Sequence, residues 1–177
     1  MEAYRITLEK YAKSLVASGI PARWNSRDIN VIYAAGSRAL ACLENVVHRN
    51  SLGSSHYFKT VRILVPDNLV MEEILLSDLD TDWMDYRHYP YTQGIGDAWV
   101  VAQSSAVLRV PSAIIPAEYN YLINPLHRDF RKIKHNGVEP FYFDKRIKSI
   151  STGNPASPGE AKNTGSVRTK KPPAKEA

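Results

Sequence analysis

The chain has 177 residues, enough to bury a substantial core in one domain of ordinary size, and its 44% hydrophobic content is that of a globular protein. Of 23 basic and 18 acidic residues, five and two fall in 151–177, so 18 face 16 in the first 150; a core this near neutrality argues against direct nucleic-acid binding, which relies on clustered Lys and Arg. A single cysteine, Cys42, excludes an internal disulfide and a multi-thiolate zinc site, and no run reaches the roughly 18 apolar residues of a membrane span.

Met1-Glu2-Ala3-Tyr4-Arg5 lacks an apolar export core, so a cytoplasmic protein is expected. Residues 7–18 place Leu8, Tyr11, Ala12 and Leu15 along one helical face and predict a helix. Ile29-Asn30-Val31-Ile32-Tyr33-Ala34-Ala35 predicts a strand, after which Ser37 can cap a helix through about Arg49. Val61 to Val65 alternates weakly and stops at Pro66, as a strand would. Trp99 to Gln103, Ala106 to Val110 and Phe141 to Phe143 complete a set of short strands. Short strands with helices toward the N-terminal half predict an α+β domain over 1–150. From Ser151 the chain is Pro/Gly/Ser/Lys-rich and nearly free of large apolar residues, so 151–177 reads as a disordered tail.

Several kinds of chemistry lack support. Neither Gly-x-Gly-x-x-Gly nor Gly-x-x-x-x-Gly-Lys-Ser/Thr occurs. The five histidines show no His-Glu-x-x-His spacing, which argues against a zinc site, and Gly-x-Ser-x-Gly is absent. Cys42 lies in an apolar helical stretch and reads as a core thiol. The acids from Asp67 to Asp85 are irregularly spaced and read as a solvated face.

Two segments carry more. One is Gly19-Ile20-Pro21-Ala22-Arg23-Trp24-Asn25, continuing through Tyr33 to Ala41-Cys42-Leu43-Glu44; the other is Leu108-Arg109-Val110-Pro111-Ser112-Ala113 with Asn120-Tyr121-Leu122-Ile123-Asn124-Pro125-Leu126-His127. An Arg, a Glu and a Ser in this order and context resemble the RES-domain family, over most of residues 4–147. Arg5, Trp99 and His127 also match its pattern, and the last two read as structural. The chain departs from that pattern in the Arg23 loop. Many members have a glycine soon after Arg-Trp-Asn, where Ser26-Arg27-Asp28-Ile29 stands here, and glycine is commoner than Pro21-Ala22 ahead of the arginine.

The resemblance implies an ADP-ribosyltransferase-like fold and a toxin that cleaves the nicotinamide–ribose bond of NAD⁺. NAD⁺ would be a substrate, with inorganic phosphate as co-substrate yielding ADP-ribose 1″-phosphate, and no cofactor or metal. Water or a protein acceptor is the alternative, as is a non-catalytic interaction module. An Xre-like helix-turn-helix antitoxin is the implied partner; monomer and homo-oligomer both stay open.

Such cleavage releases a neutral leaving group through an oxocarbenium-like transition state, so it needs a carboxylate near the ribose, cations for phosphates and an aromatic surface. Glu44 lies about 40° from Leu40 on the border of an apolar arc of Leu40, Leu43, Val46 and Val47. Alone it reads as a helix-surface acid pairing with His48 or Arg49; with the resemblance it is the catalytic carboxylate. Arg23, whose alternative is a surface arginine lying on Trp24, and Arg5 would hold phosphates. Tyr33, otherwise a core aromatic, would hold the nicotinamide side. Ser112, otherwise a turn residue, would complete the pocket.

Overall fold

The computed structural model describes residues 1–48, 57–144, 146 and 147. Their regular elements are β1 (Glu2–Leu8), β2 (Ile32–Ala35), α1 (Arg38–His48), β3 (Phe58–Leu64), β4 (Met71–Glu73), α2 (Tyr89–Ala102), β5 (Val107–Pro111), β6 (Tyr119–Ile123) and β7 (Lys134–Phe141). The strands form one sheet in the order β4-β5-β6-β2-β1-β3-β7. All neighbours are antiparallel except β4 and β5. The fold is α+β, as expected.

Strand periodicity divides the apolar residues between two faces. Ala3, Ile32, Ala34, Val61, Ile63, Val107 and Ile123 form one core with Ala12, Leu69 and Ile133 from connecting segments. On the other face, Ile6, Ala35 and Phe58 pack with Leu40 and Ala41 of α1. Beside them, Leu108, Val110 and Leu122 pack with Trp99 and Val100 of α2, Trp24 and Trp83. The sheet has a thin seam between β1 and β2. β1 pairs with β3 at seven positions, Glu2↔Leu64 to Leu8↔Phe58, but with β2 at Tyr4↔Ala35 alone.

Three expected elements differ. Residues 7–18 are not a helix: β1 runs to Leu8, a 3-10 turn covers Glu9–Tyr11, and no regular element follows before β2. Thr7 and Leu8 pair in register with Lys59 and Phe58 of β3, which draws the first residues of the weak helical pattern into the sheet. Ala12 is buried and Leu15 half-buried against the sheet, which explains their apolar character without a helix. Trp99 to Gln103 is not a strand but the end of α2 and its left-handed cap at Gln103 (φ 54°). Thr92, Gly96, Trp99 and Val100 are its buried residues, a helical spacing, while Val101 is 75% exposed. With α2 in the second half of the chain, the helices do not gather in the first. The expected strand at Phe141 to Phe143 is instead the end of β7, which stops at Phe141; Phe143 packs edge-on against Phe58 and Phe141. β1, β4 and β6 were not anticipated. The expected tail, 151–177, lies outside the described residues.

Candidate active site

α1 starts where expected: Ser37 Oγ accepts the Leu40 N–H at 3.0 Å and donates to Glu118 Oε2 at 3.2 Å. The helix lies along β1, with the Arg38 guanidinium 4.3 Å above the Tyr4 ring and Asn45 Nδ2 donating to the Ile6 carbonyl at 3.0 Å. Leu40 and Ala41 are its buried residues; fully burying a leucine is worth about 1.5–3 kcal/mol and fixes the helix's rotation. Val47, expected in the apolar arc, is exposed.

That rotation turns Glu44 toward the sheet. Its side chain is 21% exposed. Oε1 accepts from Ser112 Oγ at 2.8 Å and from Asn120 Nδ2 at 2.6 Å, and Oε2 lies 3.4 Å from His48 Nε2. Burial is the largest single influence and raises the carboxyl's pKa, but bonds from His48, Asn120 and Ser112 outweigh it and hold the group below its ordinary value. Glu44 is thus an ionised, partly buried carboxylate. It makes the expected local pair with His48 and also reaches across to the β5–β6 hairpin.

Ser112 lies just after β5 and is fully buried. Its hydroxyl donates to Glu44 and accepts the N–H groups of Ile114 and Ile115 at 3.1 and 3.2 Å. Asn120 stands opposite Ala35 on β2 and Val110 on β5. Sequence reasoning gave Asn120 no role; the available signal was a polar residue two positions from buried Leu122 on the same strand face.

Tyr33 and Arg23 form a second group. The Tyr33 hydroxyl donates to Asn25 Oδ1 at 2.7 Å and accepts the Trp24 N–H at 3.1 Å; burial, its dominant influence, pushes the phenol's pKa well up. Asn25 is buried and its Nδ2 reaches the carbonyls of Ile20, Ser26 and Ile29. Arg23 Nη1 and Nη2 donate to the carbonyls of Trp83 and Met84 at 2.6 and 2.7 Å. Its guanidinium lies 4.7 Å from the Tyr89 ring and 5.6 Å from that of Trp83, so its aromatic partners are these and not the Trp24 of the alternative reading. One face of α2 holds this loop: Gln93 Nε2 donates to Ala22 O, Thr92 Oγ1 to Arg23 O, and Asp97 Oδ1 accepts the Ser26 N–H.

Arg5 stands apart, next to the seam contact at Tyr4. Nη1 donates to the Val16 carbonyl at 3.0 Å, and burial lowers its pKa. Among the described residues it has no carboxylate partner. No hydrogen bond among them joins Arg5, Arg23 or Tyr33 to Glu44. Trp99 Nε1 bonds Ser105 Oγ, and His127 Nδ1 accepts the Asp129 N–H, both structural roles. Cys42 is half-buried against the α1 core. Among the described residues no three His, Cys, Asp or Glu side chains could hold a metal, and no helix is long and apolar enough to cross a membrane.

The RES domain family model matches residues 2–144. The chain belongs to the RES-domain family. Its relatives include a "Prs ADP-ribosylating toxin" of Sphingobium sp. (strain YBL2), 40% identical over 127 residues, 71% of this chain and 79% of the relative. Another is a "Toxin Res" of Yersinia enterocolitica, 34% identical over 154 residues, covering 84% of this chain and all of the relative. A Mycobacterium tuberculosis structure, the MbcT–MbcA toxin–antitoxin complex, contains a chain with TM-score 0.66 and 16% identity, over 80% of this chain and 84% of that one. The RES-domain fold is therefore common to both.

Proposed function

We propose that this RES-domain protein is the toxin of a toxin–antitoxin pair and that it destroys NAD⁺ by phosphorolysis at the nicotinamide–ribose bond. The observation that carries this reading is Glu44: a carboxylate kept ionised by three neighbours, on a helix beside the seam of the sheet. In the reaction the C1″–N bond breaks, its electron pair neutralises the pyridinium nitrogen, and nicotinamide leaves without needing an acid. A phosphate oxygen forms the new bond to C1″, giving ADP-ribose 1″-phosphate. Glu44 offsets the positive charge that develops on the ribose. Ser112 orients that carboxylate. Arg5, with one described hydrogen bond among its five N–H donors, has capacity left for an anion. In this reading Arg23, with N–H groups beyond the two that bond Trp83 and Met84, takes a phosphate, and Tyr33 takes the nicotinamide side.

Relatives named as toxins and a fold neighbour solved as a toxin–antitoxin complex support the biological setting. The partner is then an antitoxin, of the Xre-like helix-turn-helix kind that the family resemblance implies. A second reading, transfer of ADP-ribose to a protein, is favoured by the name of the Sphingobium relative.

Proton and phosphorus NMR of NAD⁺ with purified protein tests both. Nicotinamide with a new sugar-phosphate signal that requires inorganic phosphate supports phosphorolysis, and free ADP-ribose indicates water as acceptor. Label from NAD⁺ retained in a protein band indicates the transferase. Glu44→Gln should lower NAD⁺ turnover by about 10²-fold or more with the fold intact; wild-type turnover in that variant removes Glu44 from the mechanism.

A further inference from the structure

The two oxygens of Glu44 are held unequally. Oε1 takes both donors from the sheet side, Ser112 Oγ and Asn120 Nδ2. Oε2 has only His48 as its described partner, at the longer distance of 3.4 Å and from a side chain 62% exposed. The sheet-side donors are fixed by the fold. Ser112 is locked by its own turn, and Asn120 is paired through its backbone with both β5 and β2. We infer that Asn120 is a positioning residue for the reaction: with Ser112 it anchors Oε1 and so presents Oε2 to the substrate ribose. This rests on the NAD⁺-cleaving reading above.

The physical argument is pre-organisation. A glutamate on a helix has three side-chain torsions, and one donor leaves the carboxylate free to swing about that bond. Two donors from different elements on one oxygen fix both its position and its plane. They also favour the charged form in a partly buried site. Of the groups that face Glu44, the His48 imidazole is on its own helix, whereas Ser112 and Asn120 on the sheet side are neutral. Glu118, just before β6, bonds Ser37, and Tyr4 of β1 is engaged by Glu2 and Arg38.

Two variants test the inference. Asn120→Ala removes the donor; Asn120→Asp keeps the shape but sets a carboxylate against Glu44, where like charges raise a pKa. In both, kcat for NAD⁺ should fall by about 10²-fold with KM nearly unchanged. The acid limb of the pH–rate profile should move to higher pH, further for Asp than for Ala. A merely structural role would lower the melting temperature without moving that limb. The same proteins carrying [δ-¹³C]glutamate report Glu44 directly by NMR titration, whatever the activity. Upward movement of the Glu44 transition in the order Ala, then Asp, supports the clamp; an unchanged transition in both variants overturns it. A wild type that consumes no NAD⁺ overturns the catalytic role alone, and the titration still decides whether Asn120 holds Glu44.

Discussion

Asp28 has a φ of 68°, in the left-handed region that L-residues other than Asn and Asp seldom adopt. Its N–H bonds the carbonyl of Gly19, itself at φ 65°, and closes the Arg23 loop. Asp28 is one of the few residue types that tolerate this backbone. Asp28→Gly should leave stability unchanged or raise it by up to about 1 kcal/mol, and Asp28→Val should lower it by about 1–2 kcal/mol. Urea denaturation of the two variants checks the order. Glu44 gives a prediction in pH. Its pKa is lower in the folded protein than in the unfolded chain, so its contribution to stability is present above the unfolded value of about 4.3 and is lost as pH falls through the lower folded value. The stability difference between wild type and Glu44→Gln should therefore be constant near neutrality and shrink in acid. At this scale Glu44, Arg23, Arg5, Tyr33 and Ser112 could be nominated from local context. Their partners could not, because the Ser112 and Asn120 bonds to Glu44 span 68 and 76 residues.

Two elements show how packing decides what local pattern leaves open. α1 was legible because its cap, Ser37, and its apolar arc agree. α2 was not, since Trp99-Val100-Val101 is a short apolar run that fits a strand or a buried helix equally. Its identity rests on what lies beside it. A Cβ at Gly96 would come within 1.8 Å of the Trp24 carbonyl oxygen, so helix and loop meet in backbone contact there. Thr92, Gln93 and Asp97, on the same face, then bond the loop's backbone. Gly96→Ala should force the two apart, lower stability by about 3 kcal/mol and disturb the Arg23 loop. A thermal melt and the NMR shifts of the loop amides read both effects; an alanine variant as stable as wild type would mean that α2 does not approach so closely. β1 was missed for the opposite reason. The helical spacing read over 7–18 overlaps it only at Thr7 and Leu8, and its hydrogen bonds lie on β3, fifty or more residues away.

Across the molecule, the family match ends at residue 144, just beyond β7, and the described site lies wholly before it. A chain ending at Ile150 should turn over NAD⁺ at the full-length rate, measured by the same NMR assay; loss of turnover would assign the remaining residues to the active unit. The sequence by itself determined the class of fold, the position of α1, the family and the ionisable residues worth testing, because composition, helix capping and motif order are local properties of the chain. Tertiary structure alone decided that β1 is a strand, that α2 is a helix, and that Arg23 turns toward Trp83 and Met84. It also decided that Glu44 is shared among α1, the turn after β5 and β6. Each of those outcomes depends on hydrogen bonds or burial between segments distant in sequence, whose energies outweigh the weak preferences of a few neighbouring residues.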